Sequence, residues 1–251
     1  MDRMLFTAMS GAKQSLDQQA VVTHNLANAV TPGFRAQLAE MRVVPVLGDG
    51  LPTRASVQVA TVAADFSPGP VSRTGRGLDV ILDEGAWMAV QAADGSEAYT
   101  RRGDLQVDGN GMLTVAGHPV IGEGGPLVVP LGSDVSIGSD GTVSAVQLGQ
   151  DPNTSGQVGR IKLVAGGADN LQRGDDGLFR GLPDAGGAAQ PLPADETMRL
   201  ATGSLEGSNV SATEAMVAMI DNARRYEMQM KAISSADENA QRANSLLSLQ
   251  G

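Results

Sequence analysis

From Ser211 to Gln250 the chain contains neither glycine nor proline, although it carries 32 glycines elsewhere. A stretch of that length without a helix breaker commits its backbone to one long helix. Ser211-Ala212-Thr213-Glu214 opens it as a capping box, in which the Ser and Glu side chains each satisfy a backbone N–H that has no intrahelical partner. A seam then recurs at steps of three and four: Met216, Met219, Ala223, Tyr226, Met230 and Ile233, continued by Asp237, Ala240, Asn244 and Leu247. This is a heptad pattern held over about four heptads, as expected of a narrow coiled-coil seam. Glu227 with Lys231, and Glu238 with Arg242, are i,i+4 pairs in the favourable orientation, each contributing about 0.2–0.5 kcal/mol. At about 1.5 Å per residue the helix reaches roughly 55–60 Å.

Residues 4–28 read as a second helix. Leu5, Met9, Ala12 and Leu16 recur at steps of four and three, with Ala8, Ala20 and Leu26 alongside. The remaining face is Gln, Ser, Thr and Asn. Gly11 weakens this helix by about 1 kcal/mol relative to alanine, and Pro32 and Gly33 stop it. Helices so long, with apolar stripes so narrow, do not bury themselves alone. Two readings stand: a hairpin between the two terminal helices closing one small bundle, or helices that also pack against neighbouring subunits. Asp237 and Asn244 within the seam call for a partner that satisfies them.

Between the helices the pattern changes. Residues 36–70 alternate weakly at Val57 and Val59 and are broken by Pro45, Pro52, Pro68 and Pro70, which predicts an extended arm with short strands. Residues 71–200 are punctuated by Asp94-Gly95, Asp108-Gly109, Asn110-Gly111, Asp140-Gly141 and Asp176-Gly177, dipeptides that suit tight hairpin turns. Short β-branched runs such as Leu127-Val128-Val129 and Ile161-Lys162-Leu163-Val164 lie between them. The expectation is a small all-β domain entered from one helix and left through another.

A formal net charge of −10 and the absence of any basic run exclude a phosphate-binding surface, so nucleic acid is not a partner. There is no cysteine, which removes disulfides and thiolate metal sites and fits either a chain without need of thiols or one bound for an oxidising compartment. Met1-Asp2-Arg3-Met4 leads into a polar stretch unlike a cleavable signal peptide, and no run approaches a membrane span.

Chemistry-bearing motifs are missing. His24 and His118 stand in different regions with no HExxH pattern, and no nucleophile elbow, P-loop or dinucleotide fingerprint occurs. Asp108 could open a calcium loop, but Met112 stands where the third oxygen ligand belongs, and the hairpin-turn reading is preferred. Asn153-Thr154-Ser155 and Asn209-Val210-Ser211 match the short glycosylation pattern. Trp87, amid apolar neighbours, reads as core. No base, nucleophile and oxyanion set can be assembled. The expectation is a chain that is not an enzyme and takes no cofactor or metal.

Longer motifs carry a resemblance. His24-Asn25-Leu26-Ala27-Asn28 followed by Thr31-Pro32-Gly33-Phe34-Arg35 resembles the N-terminal motif of flagellar rod and hook proteins. Gly203-Ser204-Leu205-Glu206-Gly207-Ser208-Asn209-Val210, ahead of Glu214, Met216, Met219-Ile220, Arg225 and Tyr226-Glu227, is similar to their C-terminal motif in order and spacing. Arg73-Thr74-Gly75-Arg76-Gly77-Leu78-Asp79-Val80 and Tyr99-Thr100-Arg101-Arg102-Gly103-Asp104-Leu105 are similar to their central patterns. The opening Met1-Asp2-Arg3, the run Thr7-Ala8-Met9-Ser10-Gly11-Ala12 and the overall length are most similar to the proximal rod branch. Departures are His24 for the first asparagine, Gly77 where proline is common, and Ala86 for a glycine before the aromatic.

The resemblance covers essentially the whole chain, and it implies an α+β fold. Long N- and C-terminal helices pack as a coiled coil, with an inserted all-β domain and an extended arm. The segments are 1–35 (helix and motif, inner core), 36–70 (arm), 71–203 (all-β, outer layer) and 204–251 (helix, inner core). It implies a structural subunit of the flagellar basal-body rod, polymerising into the drive shaft that transmits torque. The implied partners are copies of itself, other rod proteins and the flagellar type III export apparatus, with a periplasmic place reached without a cleaved signal. The assembly interface is expected at Leu5, Met9, Leu16, Asn25, Leu26, Asn28, Met216, Met219, Ile220, Tyr226, Met230, Ile233 and Leu247. Alternatives are a distal rod or hook paralogue, or a surface binding module on a coiled-coil stalk.

Overall fold

The computed structural model describes residues 2–45, 55–147, 156–183 and 189–248. They fall into two compact units: Met1–Ala27 with Gln37–Ala63 and Ser211–Gly251, and Asn28–Ala36 with Ala64–Val210. The architecture is α+β, with a helix toward each end and a mostly β middle.

The first unit holds α1 (Asp2–Ala27), a two-stranded sheet of β1 (Gln37–Pro45) and β2 (Ala55–Ala64), and α2 (Ala212–Ser248). Ser211 caps α2 as its sequence predicts: its Oγ accepts from Glu214 N at 3.4 Å, and its carbonyl accepts from Ala215 N at 2.9 Å. α1 and α2 pack against each other. Gly11 faces the Gln229 side chain, while residues between Gln18 and Asn25 share a cleft with residues between Ala218 and Arg225, so the two helices run antiparallel. Ala8, Ala12 and Ser15 are buried on α1, and Ala215, Asn222 and Ala236 on α2. These side chains are small or polar, which lets the helices approach without a thick apolar core between them. From Asp237 onward every α2 side chain that is described is exposed.

The second unit is antiparallel β structure. Its five-stranded sheet runs Leu163–Ala165, Ala86–Gln91, Glu97–Thr100, Phe179–Gly181, Leu171–Arg173. Within the interior strand Ala86–Gln91 the side chains alternate between two cores. Met88 and Val90 join Leu105, Leu113, Val120 and Ile161, whereas Trp87 and Ala89 join Tyr99, Val164 and Phe179. Because both faces are covered, the strand reads as a continuous apolar run. Trp87 is core, as expected: its indole N–H donates to the Gly166 carbonyl at 3.0 Å, and its ring meets Phe66 and Phe179 with centroids at 5.8 and 4.6 Å.

Smaller sheets complete the unit. Ser133–Ile137, Thr142–Gln147 and Gly156–Arg160 form one triplet, and Leu105–Val107, Leu113–Val115 and His118–Pro119 another. Val80–Leu82 pairs with Leu200–Thr202, and Val71–Arg73 with Ser204–Glu206, so the unit's early strands are zipped to its late ones. The turns are built by aspartates. Asp94, Asp108, Asp140 and Asp176 each accept the backbone N–H two residues on, from Ser96, Asn110, Thr142 and Leu178. Asp108 also accepts from Met112 N at 2.8 Å, so its carboxylate serves the hairpin turn.

Candidate assembly surface

On each terminal helix a buried row and an exposed row lie side by side, one residue apart. The inner row of α1 is Leu5, Ala8, Ala12, Ser15, Gln19, Val22 and Leu26, all buried or half-buried. Its counterpart on α2 is Ala215, Met219, Asn222, Tyr226, Gln229, Ile233 and Ala236, again buried or half-buried. Both advance by alternating threes and fours, the spacing of two helices meeting along a narrow line. Adding one to each position gives rows that are exposed throughout: Phe6, Met9, Lys13, Leu16, Ala20, Thr23 and Ala27 on α1, and Met216, Ile220, Ala223, Glu227, Met230, Ser234 and Asp237 on α2. One residue is about 100° around a helix, so each outer row lies on a flank rather than on the back.

The outer rows carry large apolar side chains at Phe6, Met9, Leu16, Met216, Ile220 and Met230. Phe6 is 71% exposed, Met216 54% and Ile220 55%, whereas the inner rows mix Leu5, Leu26, Met219, Tyr226 and Ile233 with alanine, serine, asparagine and glutamine.

The sequence-derived interface residues divide between the two rows. Leu5, Leu26, Met219, Tyr226 and Ile233 are half-buried in the inner rows, and Met9, Leu16, Met216, Ile220 and Met230 are exposed in the outer ones. The heptad read from the sequence therefore took one line from each row. Asn25 is bound within its own unit. Its amide donates to the Gln37 carbonyl at 2.9 Å and accepts from Gln37 N at 2.8 Å, anchoring the first residue of β1. In the β unit, the Asn28 side-chain oxygen accepts from Thr31 Oγ1 at 3.2 Å. The side chain of Leu247 falls outside the described residues.

The β unit contains a second constellation, formed by residues quoted in three separate motifs. Glu206 is buried at 3% exposure. One of its oxygens accepts from Arg35 Nη2 at 2.7 Å and from Gly69 N at 2.9 Å. The other accepts from Arg101 Nε at 2.8 Å and Nη2 at 2.7 Å. Arg101 is itself saturated, with Nη1 donating to the carbonyls of Asp83 and Ala86 and Nη2 to that of Leu82. Burial alone would push the Glu206 carboxyl up. The charges of Arg101 and Arg35 and the Gly69 N–H override it and hold the carboxyl below the usual range. Burial lowers the Arg35 guanidinium, which Glu206 opposes.

Gly33, two residues before Arg35, makes the approach possible. Its φ is +65°, and a Cβ there would lie 2.5 Å from the Arg101 carbonyl carbon. Asn209 completes the junction: its side-chain oxygen accepts from Ala36 N at 2.7 Å, and its amide donates to the carbonyls of Asp65 and Ser67. The glycosylation pattern at Asn209 therefore falls on a side chain already used by the fold, and the one at Asn153 lies outside the described residues. Sequence reasoning missed Arg35, Arg101 and Glu206 as a set. The available signal was a charge inside each of three motifs, without the tertiary contact that unites them.

Among the described residues no group of three or more His, Asp or Glu side chains is placed to hold a metal ion, and no helix is long and apolar enough to cross a membrane. Family models match three parts of the chain: flagella basal body rod protein over residues 5–35, flagellar hook protein FlgE/F/G D1 domain over 82–145, and flagellar basal body rod FlgEFG protein C-terminal over 201–246. The chain is 55% identical over 250 residues to the flagellar basal-body rod protein FlgF of Escherichia coli, covering 99% of this chain and 100% of that protein. It is likewise 55% identical to the Salmonella typhimurium FlgF, with the same coverage. Similarity extends to the flagellar basal-body rod protein FlgG of Bacillus subtilis, at 29% over 94% of this chain and 96% of that protein.

Proposed function

The chain belongs to the flagellar basal-body rod protein family, and from that premise we propose that it is a structural subunit built into the rod through its terminal helices. Copies of the chain and other rod proteins pack α1 and α2 into the inner wall of a helical tube, in coiled-coil fashion. Residues 1–35 and 204–251 supply that wall, 36–70 an extended arm and 71–203 an outer layer. The subunit passes through the flagellar type III export apparatus without a cleaved signal and works in the periplasm, where the shaft transmits torque to the hook. No catalytic step is assigned to it.

The observation that carries this reading is the pair of outer rows. A chain content to remain alone would turn Met216, Ile220 and Met230 inward and leave Asn222 and Gln229 outside. Here Asn222 and Gln229 share the inner row with Met219, Tyr226 and Ile233, and Met216, Ile220 and Met230 are exposed one position further round. Burying such side chains on assembly contributes about 1.5–3 kcal/mol each.

Ile220→Asp with Met230→Asp tests this. Both positions are exposed, so the purified variant should melt as the wild type does while flagellated cells carrying it lose motility and rod incorporation. Normal motility with the double variant would overturn the proposal.

A further inference from the structure

Within the helical unit, α1, β1 and α2 frame a cleft of about 350 Å3. Its apolar lining includes Val21 and Val22 of α1, Leu38 of β1 and Ala218 of α2. Asn222 lines it too. That side chain is 7% exposed and makes no hydrogen bond among the described residues, although a buried polar group left unpaired costs about 1–3 kcal/mol. A shallower hollow of about 300 Å3, formed by Thr213, Glu214 and Val217, shares Ala218 and Asp221 with the cleft. Together they make one groove along α2 from Thr213 to Arg225, about 18 Å long. That length matches about five residues of extended chain.

The same unit shows what a carboxamide does beside an extended strand. Asn25 donates to the Gln37 carbonyl and accepts from Gln37 N, so its two functions take one peptide group. Asn222 has the same donor and acceptor to offer. The groove ends in opposite charges, Glu214 at one end and Arg225 at the other, both exposed and outside any ion pair among the described residues. We propose that the groove holds an extended segment of a partner protein. A peptide group of that segment pairs with Asn222, small aliphatic side chains lie against Val21, Leu38 and Val217, a basic residue meets Glu214 and an acidic one meets Arg225. A helix spends its peptide groups on itself, whereas an extended chain has them to give. The terminal helices are thus walls of this site and not its occupant. The inference goes beyond assembly through the outer rows, since none of Met216, Ile220 and Met230 lines the groove.

The probes are two blocked peptides, acetyl-Lys-Val-Ala-Val-Asp-amide and acetyl-Asp-Val-Ala-Val-Lys-amide, which offer one pattern in both chain directions. Titrated into the full-length chain, at least one should shift the Asn222 side-chain NH2 signals in nitrogen-edited NMR spectra, and the shift should saturate. Asn222→Leu should weaken binding of that peptide at least about fivefold, followed at other groove signals, with circular dichroism showing the helices retained. Arg225→Glu, at an exposed position, should weaken it about threefold, and a peptide with Lys in place of its Asp should recover the loss. Saturable shifts diminished by both variants support the proposal. No shift with either peptide up to about 10 mM means a groove filled by water alone and overturns it, as does binding that either variant leaves unchanged. Neither failure touches the motility test of Ile220→Asp with Met230→Asp, so the assembly reading stands or falls separately.

Discussion

Replacing Glu206 by glutamine keeps the shape of the buried junction and removes its negative charge. The carboxylate takes four donors, from Arg35, Arg101 and Gly69, at 2.7–2.9 Å. In the variant one oxygen becomes an NH2 group facing a guanidinium that has only donors to offer, and two buried cations lose their counter-charge. Arg101 cannot withdraw, because three backbone carbonyls hold it. Breaking a buried pair from one side costs about 3–5 kcal/mol. At about 2–4 °C per kcal/mol for a domain of this size, the β unit should melt roughly 6–20 °C lower. Trp87, the only tryptophan, is buried in that unit, so its fluorescence and near-ultraviolet circular dichroism report the transition directly.

The pH dependence has a definite sign. The folded Glu206 carboxyl lies below its ordinary value, so its stabilisation is complete above the unfolded carboxylate pKa of about 4.3 and is lost as pH falls through the lower folded value. The melting gap between wild type and variant should be full at pH 7 and shrink below about pH 4. Asp176→Asn, at the partly exposed Asp176–Arg180 pair, should cost within about 1 kcal/mol and serves as the control. A Glu206→Gln protein that melts within about 1 kcal/mol of wild type at neutral pH, or whose deficit persists unchanged at pH 3, would refute the reasoning.

Two further outcomes follow. Gly33→Ala places a Cβ against the rigid Arg101 backbone at a φ of +65° and should destabilise the β unit by at least about 2 kcal/mol, seen as a lower denaturant midpoint with an unchanged slope. Asn25→Ala removes both hydrogen bonds to Gln37. It should cost about 1–3 kcal/mol locally, read as accelerated hydrogen exchange of the Gln37 amide with little change in the Trp87 transition.

The helices were legible because their signals are local. The capping box at Ser211 and the unbroken run beyond it mark the start of α2, and the Asp-Gly turns mark hairpins, each through chemistry within a few residues. The phase of packing was not legible in the same way. Inner and outer rows share the same three-four rhythm and differ by a single position, so the heavier side chains, Met216 and Met230, drew the seam toward themselves. The inner line of α2 places Ala215, Asn222 and Gln229 beside Met219, Tyr226 and Ile233, a choice that depends on the facing surface of α1, with Ala8, Ala12 and Gly11. Arg35, Arg101 and Glu206 lie far apart in sequence, and no periodicity joins them.

The one-position offset between rows also has a geometric outcome. A rod-shaped element that touches its companions on opposite flanks can be laid out as a level sheet, indefinitely wide. When the two lines of contact are only about a quarter-turn apart, every added element steps around a corner. Layers built from α1 and α2 by both rows would therefore bend back on themselves, and the bend would be written into the spacing of side chains along each helix rather than imposed by a template.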